Sequence, residues 1–305
     1  MKVIAYRELE SKDELFPLID QALWEYLNPI EFEQEIEADP RLKHSSIGYA
    51  AVQKGHIIGF VGVMDMVTRG IDSSEVKVGG IWDVATHPAH TRKGVATTLM
   101  RRAHEYFQEN DCQFSFLTSG RADIAHNFYK KLGYDVVQPF PSAYKIIKPA
   151  KKPVKAVKRK MNPDWNKILR IYRKVTEDRT GLIIRTEEYM KMLERRKIIQ
   201  FEKTIQTESG YALLKDDEGK VRIMEIMAST KEATIRLVRR AEEKALKTVV
   251  DRAILLDRTM DAYKSEGYMT LTQSFGVLMA KPLTKSVTFQ GAYGDKFYLT
   301  SVDLF

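Results

Sequence analysis

A chain of 305 residues is long enough for two domains of ordinary size, each with a substantial core. Its 44% hydrophobic and 30% charged residues exclude a disordered or fibrous protein. The single cysteine, Cys112, excludes an internal disulfide framework and suits a reducing compartment, and no apolar run is long enough to span a bilayer, so a cytoplasmic protein is expected. A net charge of +8 raises nucleic acid as a partner, but much of it sits in 148–160 (KPAKKPVKAVKRK), which holds prolines and no acidic or aromatic residue. That segment reads as a solvated linker, since a single-strand-binding surface interleaves aromatic rings with its charges.

Residues 3–8 read as a first strand, so Met1-Lys2-Val3 begins a strand and not a signal peptide. Leu15, Leu18, Ile19, Ala22, Leu23 and Tyr26 recur at helical spacing over 13–27. Two strands, 46–53 and 56–68, meet at the turn Lys54-Gly55, and a third spans 76–86. At Val95 the period changes, with Ala96, Leu99, Met100, Ala103 and Phe107 on one helical face. The junction Arg92-Lys93-Gly94-Val95-Ala96, with Thr91 as the expected N-cap, aims free backbone N–H groups and a positive helix end at one point. That is an anion site, and small residues there let a diphosphate approach the backbone. A strand at 113–118 comes next, with Cys112 expected to be buried at its start. A helix then carries Asn127, Phe128, Tyr129 and Leu132 and closes on Gly133-Tyr134. The run 143–148 is expected to close the first domain, 1–148, ahead of a basic linker, 149–160.

The second half repeats the first. A helix starts at Asn162-Pro163-Asp164 with Trp165, Ile168, Leu169 and Tyr172 on one face, and strands 211–215 and 220–227 flank a turn at 216–219. Ile223-Met224-Glu225-Ile226 parallels Ile81-Trp82-Asp83-Val84, and Leu237-Val238-Arg239-Arg240-Ala241 parallels Leu99-Met100-Arg101-Arg102-Ala103. Tyr263 and Gly267-Tyr268 parallel Tyr129 and Gly133-Tyr134, and both copies end at Lys-Pro. The second copy, 161–282, is shorter between Glu225 and Leu237, where Ala228-Ser229-Thr230-Lys231 offers no glycine. It keeps the scaffold and loses the phosphate cradle. A tail, 283–305, remains, with 286–290 and 296–302 alternating like paired strands.

The order strand, glycine loop, helix, strand, helix resembles the GNAT acetyltransferase superfamily, whose R-x-x-G-x-A loop cradles the pyrophosphate of acetyl-CoA. The family's first basic residue falls on Thr91 here, with Arg92 and Lys93 beside it. Gly79-Gly80-Ile81, Val84-Ala85-Thr86-His87-Pro88, Phe128-Tyr129 and Leu132-Gly133-Tyr134, then Arg179-Thr180-Gly181 with Arg185 and Tyr189, resemble the Eis-like (enhanced intracellular survival) subgroup up to Pro282. The subgroup's sterol-carrier-like third domain is not apparent, although Asp303-Leu304-Phe305 looks like its terminus. The resemblance implies a mixed-sheet α/β (α+β) fold: two tandem GNAT domains, with only the first active, plus a β-rich tail returning to the active site.

The resemblance also implies an acetyl-CoA-dependent N-acetyltransferase in which a primary amine attacks the thioester directly, with no metal. Val84, Ala85, Thr86, Arg92, Lys93, Gly94, Val95, Ala96 and Asn127 are implied to hold the cofactor. Tyr129 is implied as the acid for the departing thiolate, a transfer uphill by roughly 2 kcal/mol between groups of pKa about 10 and 8.5. The α-carboxylate of Phe305 is implied as the base. Trp24, Glu25, Trp82 and Asp83 are expected to meet the amine, although Asp83 serves equally well as a loop cap and Tyr129 as a core aromatic. His87, His90, His104 and His126 lack the partners a metal site needs. The acceptor is a small amine or a protein lysine or N-terminus, and the chain is expected to be free of membrane and able to self-associate. Readings of another class are a non-catalytic acyl-CoA-binding regulator and a basic nucleic-acid binder.

Overall fold

Alternating apolar residues on strands and 3.6-period apolar stripes on helices bury their faces against each other, and two sheets result. The computed structural model describes residues 1–23, 27–147, 163–217, 220–245, 248–251, 257–273 and 276–304. The first half runs β1 (Lys2–Ala5), α1 (Leu15–Leu23), α2 (Pro29–Ala38), β2 (Gly48–Gln53), β3 (His56–Arg69), β4 (Glu75–Thr86), α3 (Val95–Glu109), β5 (Phe114–Gly120), α4 (Ile124–Lys131), β6 (Asp135–Pro139) and β7 (Ser142–Ile146). The second runs α5 (Trp165–Val175), α6 (Glu187–Arg195), β8 (Ile205–Gln206), β9 (Gly210–Asp217), β10 (Lys220–Ala228), α7 (Lys231–Lys244), β11 (Thr248–Asp251), α8 (Asp257–Ser265), β12 (Met269–Leu271), β13 (Gly276–Pro282) and α9 (Phe289–Tyr293). Helix α2 has its own start signal, because Asn28 Oδ1 accepts from the N–H groups of Ile30 and Glu31 and Pro29 takes the first helical position.

The first sheet has the order β1-β2-β3-β4-β5-β13-β6 and the second β12-β7-β11-β10-β9-β8. The repeat seen in the sequence is therefore a strand exchange. β7, expected to close the first domain, pairs antiparallel with β11 and β12 in the second sheet. Its counterpart β13 pairs antiparallel with β5 and β6 in the first. Both strands have buried residues facing a core in the foreign sheet, such as Ala143 and Val277, so alternation alone does not say which sheet they join.

One core lies under α3 and α4 and a second under α7. A third lies between the two sheets and contains α1, α2, α5, α6 and the tail. Residues 286–302 form no paired strands. Thr288 caps α9 by accepting from Gly291 N–H at 3.0 Å, and Phe289, Tyr293 and Phe297, spaced four apart, pack on Phe114 and Phe116. That spacing suits a helical turn better than a hairpin, and the aromatic packing outweighs the weak strand pattern.

Six charged groups cross this shared core. Arg185 donates to both carboxylate oxygens of Glu225 (2.8 and 2.7 Å) and of Asp303 (3.0 and 2.7 Å), and to Thr300 Oγ1 at 2.8 Å. The Tyr189 hydroxyl donates to Asp303 and accepts from Arg41, which pairs with Asp39, and Arg196 donates to Asp39 as well. The three guanidinium groups are matched by the carboxylates of Glu225, Asp303 and Asp39, with Glu35 pairing Arg196 at the cluster's partly exposed edge (3.3 Å), and this matching is what permits burial. Burial opposes ionisation of Glu225, but Arg185 overcomes it and holds that carboxyl below its ordinary range.

Candidate functional site

The site begins where the first sheet opens. β4 pairs with β5 in parallel only over Val78–Gly80, so residues 81–86 of β4 and 117–120 of β5 diverge. The opening coincides with a bulge: opposite β3, the register of β4 shifts between Trp82 and Ala85, and Asp83 takes φ of +45°. A non-glycine residue held there is strained, and the bulge interrupts the regular ladder with β3. Val84, Ala85 and Thr86 continue along this unpaired edge.

At the far end of β4 lies the helix start. Gly94, not Thr91, is the N-cap of α3, with φ of +79° and ψ of 5°. Thr91 bonds instead to the Pro88 carbonyl, ending a short turn over Pro88–His90. Glycine is needed at 94 for its left-handed backbone, and a Cβ there would meet nothing within 4 Å, so the space above it is open. No side chain caps α3, which leaves the N–H groups of Val95 and Ala96 for an anion. Arg92 and Lys93 are exposed beside it, with Lys93 Nζ resting on the Ala89 carbonyl at 2.8 Å. In the second copy β10 ends at Ala228 and α7 begins at Lys231. There Thr230 accepts from Ala233 N–H at 3.1 Å, so the helix closes its own terminus.

Tyr129 is buried on α4, and its hydroxyl has no hydrogen-bond partner among the described residues. It lines a cavity of about 350 Å³ with Leu23, with Thr118, Ser119 and Gly120 of β5, which pair with β13 but no longer with β4, and with Asp123. Burial, with the Asp123 carboxylate adding to it, pushes the Tyr129 phenol up to about 12. Gly276 of β13 and Phe140 complete the wall, so the exchanged strand contributes to the site. Sequence reasoning missed Asp123, the β5 end, Phe140 and Gly276. The helix-capping position of Asp123 was a local signal, whereas Gly276 arrives only through tertiary pairing. A slightly larger cavity, about 390 Å³, borders 69–73 and 293–296 and touches none of the residues nominated from sequence.

Trp82 lies over Gly62, where a Cβ would come within 2.2 Å of the indole, and contacts Phe32 of α2. Its Nε1 is buried with no partner among the described residues, facing the side of the sheet opposite α3. Asn127 is exposed on α4. Trp24, Glu25 and Phe305, and the basic segment 148–160, lie outside the described residues. Cys112 is buried, and burial raises its thiol to about 12, against a nucleophilic role. His87 and His90 face each other with ring centroids 5.8 Å apart, and among the described residues no group of three His, Cys, Asp or Glu side chains is placed to hold a metal. Among the described residues no helix is long and apolar enough to cross a membrane.

Comparison with curated protein sequences finds no match. Residues 6–134 match the model of the acetyltransferase (GNAT) family. Among solved structures, a GCN5-related N-acetyltransferase from Kribbella flavida superposes with a TM-score of 0.66 at 16% identity, covering 92% of this chain and 72% of that one. Eis1 from Mycobacterium abscessus gives 0.62 at 14% identity, covering 93% and 73%. A putative acetyltransferase from Pyrococcus horikoshii gives 0.55 at 15% identity, covering 96% and 92%. The chain therefore has the mixed α/β fold of the GNAT acetyltransferases over most of its length, and its first copy is the part that the family model matches.

Proposed function

We propose that the protein is an acetyl-CoA-dependent N-acetyltransferase of the Eis-like kind, acting on a primary amine, with the single active site in the first copy. The observation that carries this is the opening between β4 and β5, with an uncapped helix start at one end and the unpartnered Tyr129 hydroxyl on the cavity beside the other. The α3 N–H groups with Arg92 and Lys93 hold the diphosphate, and Val84, Ala85 and Thr86 line the pantetheine arm. A backbone N–H at the Asp83 bulge polarises the thioester carbonyl. The neutral amine attacks that carbon, the C–N bond forms, and the C–S bond breaks.

As the C–N bond forms the nitrogen loses a proton to a base, which we assign to the carboxylate of Phe305, and that proton returns through water to the tyrosinate left at Tyr129. The departing sulfur takes one from Tyr129. With Tyr129 at about 12, that transfer is uphill by roughly 5 kcal/mol toward an ordinary thiolate. Tyr129 therefore acts first as a hydrogen-bond donor to sulfur and releases its proton only as the C–S bond breaks. We assign Trp82 and Asp83 to the acceptor side, and Asp123, which lines the cavity, gives it a negative edge that draws a cationic amine.

The test is release of free CoA thiol on mixing the protein with acetyl-CoA and a panel of diamines, aminoglycosides and lysine peptides. Turnover with a small amine supports the reading, and turnover with peptides alone reassigns the acceptor to protein. Tight acetyl-CoA binding without turnover of any amine makes the protein an acyl-CoA-binding regulator.

A further inference from the structure

The two copies use the same stretch of strand in different ways. β10 bulges at Met224 against β9, next to the position to which the repeat carries the β4 bulge. In the first copy the face opposite the packed helix presents Trp82, whose indole N–H is left without a partner among the described residues. In the second copy the Glu225 carboxylate and the Met224 carbonyl at that place both have partners. The Glu225 carboxylate accepts from Arg185 and from the Tyr211 hydroxyl at 2.6 Å. The Met224 carbonyl accepts from Ser301 of the tail. Thr300 and Asp303 are bound to the same guanidinium. The tail is also held from the first sheet, since the Gln138 amide accepts from Leu299 N–H at 2.9 Å and donates to its carbonyl at 3.2 Å.

We propose that the second copy binds the segment 297–304 as an internal ligand in its former acceptor cleft, with Arg185 and Glu225 as the positioning residues that seat it. Arg185 is shared between a residue of the second sheet and one of the tail, at 2.7 Å from each, and both carboxylates are fully buried. The pairing is neutral only within the larger cluster with Arg41, Asp39 and Arg196. The tail's seat is thus tied to the end of α2 as well as to the second sheet. Loss of either carboxylate still leaves Arg185 one partner but puts the cluster one positive charge in excess, which loosens the tail that Arg185 holds. As far as it concerns turnover, this inference rests on the acetyltransferase reading above.

The experiment is hydrogen exchange by mass spectrometry on full-length Asp303→Asn and Glu225→Gln, with turnover and acetyl-CoA affinity measured on the same samples. The expected result is exchange of the 297–304 amides faster by about tenfold or more, with both sheets still protected. A fall in kcat of about tenfold accompanies it, with the acetyl-CoA Kd unchanged and Asp303→Glu recovering part of the loss. Unchanged exchange over 297–304, or loss of protection throughout the second sheet, overturns the proposal. If either variant does not fold, Thr300→Val and Ser301→Ala, which keep every ion pair, give the same readout. If the unaltered protein turns over no amine, the acetyltransferase reading fails while the exchange result still decides this one.

Discussion

His104 Nε2 lies 2.8 Å from the Tyr134 hydroxyl, which lies 2.6 Å from Ser115 Oγ, so a histidine of α3 is built into a buried polar chain under the first sheet. Burial, reinforced by the ammonium of Lys281, pushes the imidazole down from 6.5 to about 3. The folded protein therefore holds His104 neutral, while the unfolded chain protonates it below about 6.5. Between those values the unfolded state binds more protons, so stability falls as pH falls, at roughly 1.4 kcal/mol per pH unit. In His104→Gln that dependence disappears. The stability difference between the parent protein and this variant narrows by roughly 2 kcal/mol between pH 7 and 5, read from urea midpoints.

Gly94 has a left-handed backbone with open space above it. Gly94→Glu places a carboxylate against the diphosphate and is expected to weaken acetyl-CoA binding by roughly a hundredfold or more. Gly94→Asn, which tolerates the same backbone, is expected to bind within about tenfold of the parent. Calorimetry is expected to count one site per chain, because Thr230 closes the corresponding helix end in the second copy. Two sites, or undiminished affinity in Gly94→Glu, contradict the assignment of the loop.

Tyr129→Phe removes only the unpartnered hydroxyl. It is expected to lower kcat by roughly ten- to a thousandfold and to leave acetyl-CoA affinity nearly unchanged. Tyr263→Phe, at the same position of the second copy, is expected to leave kcat within about twofold. Equal effects make Tyr129 a packing residue.

Residues appended after Phe305 turn its carboxylate into a peptide group and shift the terminal carboxylate along the chain by about 3.5 Å each. One or two added residues are expected to abolish most turnover without changing the melting temperature. Full turnover in such a variant removes the carboxylate from the mechanism.

The strand exchange predicts that neither half folds alone. A chain ending at residue 147 lacks β13, so β5 and β6 lose the strand between them, and β7 loses both neighbours. Such unpaired edges are aggregation templates. Residues 1–147 expressed alone are expected to be insoluble or unfolded by circular dichroism, and coexpression with 161–305 to restore a soluble pair. A soluble, acetyl-CoA-binding fragment 1–147 contradicts the exchange.

The sequence by itself determined the elements that depend on neighbours in the chain. The hairpin at Lys54-Gly55, the period change at Val95, the glycine at 94 and the loss of the loop between Glu225 and Leu237 are all local patterns of side-chain volume and backbone freedom. It misplaced what depends on competition between distant partners. Thr91 is a sound N-cap by residue type, but the left-handed Gly94 starts the helix three positions later. Residues 286–302 alternate like strands, but Phe289, Tyr293 and Phe297 bury more by winding onto Phe114 and Phe116. The exchange of β7 for β13 is invisible in either copy because both strands satisfy the same alternation, and only the pairing with strands distant in sequence shows which sheet each joins. The ion cluster at Arg185 joins positions 40 and 118 residues apart. No periodicity marks such a pair, because a buried charge is stable only when tertiary structure brings its counter-charges to within hydrogen-bonding distance.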